Sequence, residues 1–182
     1  MEKNSILQLK LKRLKIKYFE KNGRIVIGKP KLDLVNFFGL IIFPLVVGIA
    51  LLIVFGGNII EFEIGRGKVI AGLIFLFGTA IFNFSRMGSK WGNNSSTKTL
   101  VNNSIKIKDE NKEITFNSEN IQELIVEITE IREDLSEGTL KLIDLNGQKH
   151  IILGFDDENE QYLLNDLNWF VDYFSKYLKL KQ

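Results

Sequence analysis

Between Asp33 and Glu61 the chain carries no charged side chain, and Phe37 to Phe55 is a run of nineteen residues that are apolar, Gly or the single Pro44. A helix of about twenty such residues crosses a hydrocarbon core of roughly 30 Å. The competing reading, a pair of core helices in a soluble protein, fits poorly with a run so long and so free of charge. Pro44 implies a kink that a membrane helix accommodates. A cleaved signal peptide also fits poorly, because thirty-odd patterned residues precede the run and no small-residue cleavage pattern closes it.

A second apolar run begins at Val69 and fades at Asn83 to Ser85. It lies near the lower limit for spanning, roughly seventeen residues, so thinning of the bilayer or snorkelling of Lys and Arg is needed at its ends. The expectation is a transmembrane hairpin within residues 34–88, with helices at about 35–56 and 68–85. Gly39, Gly48, Gly72 and Gly78 suit close helix packing. Lys21, Arg24, Lys29 and Lys31 lead into the first helix and Arg86, Lys90 and Lys98 follow the second, against Arg66 and Lys68 in the connection. Seven against two predicts an integral protein of the cytoplasmic membrane with both termini cytoplasmic.

The net charge of +2 conceals two opposite terms. Residues 1–33 hold ten Lys or Arg and three acids, 10 − 3 = +7, whereas residues 99–182 hold nine bases and seventeen acids, 9 − 17 = −8. The acidic portion is no nucleic-acid surface, so no nucleic-acid partner is expected. With no cysteine in the chain, disulfides, thiolate catalysis and Cys-ligated metals are excluded.

Residues 1–33 are read as a basic β-hairpin. Asn22-Gly23 suits a type I′ turn, which pairs Lys21 with Arg24, Tyr18 with Ile27 and Phe19 with Val26. Leu14, Ile16, Tyr18, Ile25 and Ile27 then share one face, and Lys15, Lys17, Lys21 and Arg24 the other. Those four cations are the candidate contacts for anionic lipid; the alternative is plain solvation of a strand face. Leu9 and Leu11 have the opposite parity, so a continuous strand needs a bulge near Lys12-Arg13. A helix is the competing reading, since Leu7, Leu11, Leu14 and Tyr18 fall at helical spacing, but it strands Leu9 and Ile16 on the polar side. Strand is the expected state.

Residues 89–99 read as a polar linker. The Asn-X-Ser sequons at Asn93 and Asn102 fall on the side where glycosylation does not occur. Residues 100–182 read as a soluble domain. Ile105 and Ile107 alternate with Lys106 and Lys108, a turn at Asp109 to Lys112 leads to Ile114 and Phe116, and Ile121 to Ile131 forms a third strand. Asn146-Gly147 predicts a hairpin pairing Leu142 with Ile151 and Leu140 with Leu153. A helix over about 157–178, capped by Asp157 and Glu160, carries the stripe Leu163, Leu167, Phe170, Phe174 and Tyr177. Trp169 and Tyr173 beside it are weighed as core residues or ligand contacts.

The run Glu119-Asn120-Ile121-Gln122-Glu123-Leu124, then Gly138-Thr139-Leu140-Lys141-Leu142 and Asn146-Gly147 through Gly154-Phe155-Asp156 resembles the bacterial pleckstrin-homology-like domains found beside paired membrane helices. The layout is also similar to that of the photosystem I assembly factor family. The resemblance implies an α+β membrane protein: a two-helix hairpin plus a pleckstrin-like antiparallel β-barrel or sandwich capped by a C-terminal helix, with the N-terminal hairpin joining the barrel. It implies a binding or assembly role. Lys21-Asn22-Gly23-Arg24 is too short for the phosphate-gripping loop of phosphoinositide-binding relatives, so diffuse attraction to anionic lipid is expected instead.

One His, no Gly-rich phosphate loop, no nucleophile elbow and no HExxH leave no catalytic residue, metal site or cofactor to nominate. His150 reads as an ordinary strand residue. The acids at Glu127 to Glu137 and Asp156 to Glu160 lack calcium-loop spacing. The expected function is therefore a non-enzymatic, membrane-anchored interaction, assembly or regulatory module. Its partners are membrane lipids and unidentified proteins, with homo-oligomerisation left open. A lipid-sensing module is the alternative, and a divalent-metal hydrolase ranks last.

Overall fold

Asn22 and Gly23 both take positive φ, 52° and 71°, and the turn they form sets Lys21 opposite Arg24, Phe19 opposite Val26 and Tyr18 opposite Ile27, the register predicted above. The hairpin belongs to a computed structural model that describes residues 2–55, 66–109 and 112–180. Its strands are β1 (Ile16–Lys21) and β2 (Arg24–Pro30).

A helix, α1 (Glu2–Arg13), precedes them where a bulged strand was expected. Leu7 and Leu11 are fully buried and Leu9 is exposed, so the helical stripe does the packing. The objection from Ile16 disappears because the helix stops at Arg13. Lys15 then turns the chain at φ 57° and Ile16 starts the strand.

Beyond Pro30 come α2 (Leu34–Phe37), a π-helical turn (Phe38–Ile42), α3 (Phe43–Phe55) and α4 (Arg66–Asn93). Pro44 offers no N–H to the carbonyl of residue 40, and the π turn immediately before it is where the hydrogen-bond register slips. Leu34–Phe55 and Gly67–Asn93 are both long and apolar enough to cross a membrane, with mean hydropathy of 3.0 and 1.7 and only 17% and 11% of those windows buried. The second helix is thus far longer than its apolar run. Of the four glycines singled out, Gly48 alone makes a close approach, with Phe77 3.0 Å from where a Cβ would sit; Gly39, Gly72 and Gly78 face open space. Most of the connection that holds Arg66 and Lys68 lies outside the described residues.

The expected linker is structured. Its first part completes α4, and its last part is β3 (Thr97–Val101), joined through an Asn102-Asn103 turn of positive φ to β4 (Ser104–Lys108). Then follow β5 (Glu113–Phe116), β6 (Ile121–Arg132), β7 (Leu135–Asp144), β8 (Lys149–Asp157) and α5 (Glu160–Leu178). Asn159, not Asp157, caps α5, its side chain accepting from the Tyr162 N–H. The β7–β8 hairpin pairs Leu140 with Leu153 as predicted. A bulge then shifts Leu142 onto His150 and Lys141 onto Ile151.

Among the described residues all pairings are antiparallel and make two sheets, ordered β1-β2-β3-β4-β5 and β6-β7-β8. No ladder closes them into a barrel among the described residues. At Asn117 to Asn120, side-chain hydrogen bonds to backbone turn the chain from one sheet to the other. The N-terminal hairpin does join the sheet, with Ile25 opposite Leu100 and Ile27 opposite Lys98.

Residues 1–31 and 90–182 form one compact unit, and residues 32–89 the other. In the first, a single apolar core takes Leu7 and Leu11 from α1, Ile25, Leu100, Ile105 and Phe116 from one sheet, Leu140, Leu153 and Phe155 from the other, and Leu163, Leu167, Phe170 and Phe174 from α5. Each of these larger side chains contributes about 1.5–3 kcal/mol by leaving water.

Candidate functional site

The five-stranded sheet has one face in the core and one outward, and its register sorts side chains between them. Ile27, Lys98 and Ile107 lie side by side on the core face, next to the row Ile25, Leu100, Ile105 and Phe116. The alternate residues point outward: Phe19, Val26, Thr99, Lys106 and Thr115 in one row, with Lys21 and Arg24 beside them.

Lys17 belongs to the same outer face. Its Cβ lies 3.4 Å from where a Cβ on Gly28 would be, and Gly28 is two residues on from Val26. Lys108 joins from β4, opposite Thr97 and Glu113. Lys17, Lys21, Arg24 and Lys108 are exposed, and Lys106 is half-buried.

Three of the four cations named from sequence, Lys17, Lys21 and Arg24, are therefore brought together. Lys15 is exposed but sits ahead of the strand, in the turn whose carbonyl accepts from the Lys31 N–H at 2.7 Å. Phe19, Lys106 and Lys108 are additions. The alternation of Lys106 and Lys108 was visible in the sequence, but their place beside the hairpin depends on β3, which reads as linker. Phe19 is 63% exposed and, with Lys21, Asn22, Arg24 and Val26, lines a groove of about 390 Å³.

Lys98 has a second role that its sequence context does not show. Counted there as a cation flanking the second helix, it is 1% exposed on the core face. Burial pushes its ammonium down to about 8, with Asp109 opposing the shift.

A second surface lies between α1 and α5. Trp169, Tyr173 and Tyr177 stack along α5 with ring centroids 5.5 and 6.4 Å apart. With Asn4, Ile6, Asp172 and Lys176 they line a groove of about 360 Å³. Tyr173 and Trp169 also pack on the core, the first of the two readings weighed for them. The Tyr173 hydroxyl donates to Asn4 at 3.1 Å, Asn4 donates to Glu20 at 3.0 Å, and Tyr18 donates to Glu20 at 2.6 Å. Burial raises the Tyr18 and Tyr173 phenols, the latter to about 12.

Several acids are tied to neighbouring bases. Glu127 accepts from Lys141 at 2.5 Å and Lys149 at 2.8 Å, and those bonds hold its carboxyl down to about 2. His150 packs on Phe116, ring centroids 4.7 Å apart, with Nε2 3.1 Å from Asp144. Among the described residues no three His, Asp or Glu side chains converge as a metal site would require. Comparison with protein-family models, curated proteins and solved structures returns no match, so the geometry of this unit stands as the basis for assigning function.

Proposed function

We propose that the chain is a non-enzymatic module, anchored in the cytoplasmic membrane by its helical pair with both termini cytoplasmic, that binds a protein partner during assembly or regulation of a membrane complex. One observation carries the anchor: β2 and β3 are hydrogen-bonded neighbours in one sheet, yet the whole apolar helical pair lies between them in the chain. Strands that pair must share a compartment, so helices that cross the bilayer must cross it out and back. The low burial of both apolar windows supports lipid as their surroundings. Five and three antiparallel strands closed by an α-helix support the pleckstrin-like reading of the folded unit.

Reporters fused to each end of the full chain test the anchor. Both in the cytoplasm is the expected result; opposite compartments overturn it. Crosslinking in native membranes tests the role, with a discrete heterologous adduct expected and a chain that crosslinks to no protein counting against it.

A second reading, an anionic-lipid sensor, is favoured by the exposed Lys17, Lys21 and Arg24 on a hairpin whose second strand ends three residues short of the first apolar helix.

A further inference from the structure

We infer that the outer face of the five-stranded sheet, from Lys17, Phe19, Lys21 and Arg24 across to Lys106 and Lys108, docks on the anionic headgroups of a lipid bilayer. This rests on the lipid reading above and widens it from a hairpin to a whole sheet face with an aromatic anchor.

Charge is the first argument. Among the described residues the face gathers Lys17, Lys21, Arg24, Lys106 and Lys108 against one acid, Glu113, which pairs with Lys106 at 3.6 Å. Residues 99–182 carry −8 overall, so the outward lysines of β4 stand against the trend of their own segment and alongside the hairpin's cations. Each cation held near an anionic leaflet strengthens association about fivefold.

Phe19 is the second argument. A Phe on the solvent side of an edge strand gains nothing from the core, whereas among cations at a headgroup layer its ring enters the acyl boundary while Lys21 and Arg24 meet phosphate. The groove it forms with Val26 has a wall of each kind. Attachment is the third: both chain connections from the unit to the apolar helices are built from β2 and β3 of this same sheet or the residues next to them. A single-stranded nucleic acid is the rival polyanion, but stacking platforms for bases use several aromatics, and among the paired outward positions Phe19 is the one aromatic.

The full chain in nanodiscs of phosphatidylcholine, with or without phosphatidylserine, provides the test. Lysine acetylation, read residue by residue, should slow at least about fivefold at Lys17, Lys21, Lys106 and Lys108 in the anionic discs. Lys149 and Lys176, away from the face, should be unchanged, and high salt or Phe19→Ser with Arg24→Glu should remove the protection. Equal acetylation in both discs overturns the inference, as does protection by an added oligonucleotide and not by phosphatidylserine. Failure of the chain to enter discs at all defeats the membrane anchor instead. Flotation with vesicles of the same two compositions then decides the docking face, binding to the anionic set alone supporting it and no preference overturning it.

Discussion

Lys10 of α1 donates to the carboxylate of Asp166 on α5 at 2.6 Å, and Arg13 pairs with the other oxygen of the same group. The acid is the buried partner, 9% exposed in its side chain, while Lys10 and Arg13 retain 23% and 59%. The ammonium of Lys10 also lies 5.1 Å over the Trp169 ring, and its pKa is lowered by burial and by Arg13. This clasp fixes the N-terminal helix on the C-terminal one across nearly the full length of the chain.

Asp166→Asn should therefore loosen α1 without unfolding the sheets. The two cations regain water readily, so the cost is about 1–3 kcal/mol, less than for a pair buried on both sides. Thermal unfolding of the full chain in detergent, followed by tryptophan emission, checks it; an unchanged midpoint would show that the apolar stripe alone holds α1.

Lys98 gives a pH dependence with a definite sign. Its folded pKa of about 8 lies below the 10.5 of an ordinary lysine because burial disfavours the charged form. Below pH 8 both folded and unfolded chains carry the proton and the burial cost is present in full. Between 8 and 10.5 the unfolded chain binds more protons, so stability rises with pH, by up to about 3 kcal/mol from this group. Above 10 the raised phenols of Tyr18 and Tyr173 act the other way, because the unfolded tyrosines ionise first. The full chain should be most stable near pH 10, and Lys98→Met should flatten the rise from pH 8; a variant that keeps the same slope would assign it to another group.

Where two local signals agreed, the fold was legible from the residues. Asn22-Gly23 with alternating Ile25 and Ile27 fixes turn, register and face together, and the Leu163 to Phe174 stripe fixes the buried side of α5. Legibility failed where composition and periodicity conflicted. Gly92 to Ser96 looks like coil, yet Thr97 and Thr99 are strand formers that β2 and β4 complete from both sides. Leu9 weighed against a helix that only docking on α5 makes worthwhile. The basic face was half visible for the same reason: no local pattern places Lys106 beside Arg24 when the strand between them is unread.

Gly138 on β7 lies under α5, where an added Cβ would come 2.4 Å from a Leu167 methyl and 3.1 Å from a Leu163 methyl. Both leucines are fully buried, so neither can swing clear. Gly138→Ala should force α5 away from the sheet at about 1–3 kcal/mol, and Gly138→Ala with Leu167→Ala should lose less than the two single losses added together. Denaturant unfolding of the four chains, wild type included, reads the coupling directly; simple additivity would mean that α5 does not bear on Gly138.

Asn94, 1% exposed just past α4, behaves as a strand residue made from a side chain. Its amide donates to the Gly154 carbonyl at 2.6 Å and to the Lys90 carbonyl at 2.8 Å, and its oxygen accepts from the Gly154 N–H at 3.3 Å. The end of α4 can lie this close to β8 only because position 154 lacks a side chain: a Cβ there would sit 2.6 Å from that of Asn93. Asn94→Ala leaves the Gly154 backbone groups buried and unpaired, at about 2–4 kcal/mol for the two. Asn94→Asp should be worse at neutral pH, since a carboxylate is then pressed against two carbonyl oxygens. The gap should close as pH falls and the acid regains a proton to donate. Amide exchange at Gly154 should speed up in both variants while that at Leu142, on the neighbouring strand, holds. A Gly154 amide that stays protected in Asn94→Ala would place the anchoring of α4 elsewhere.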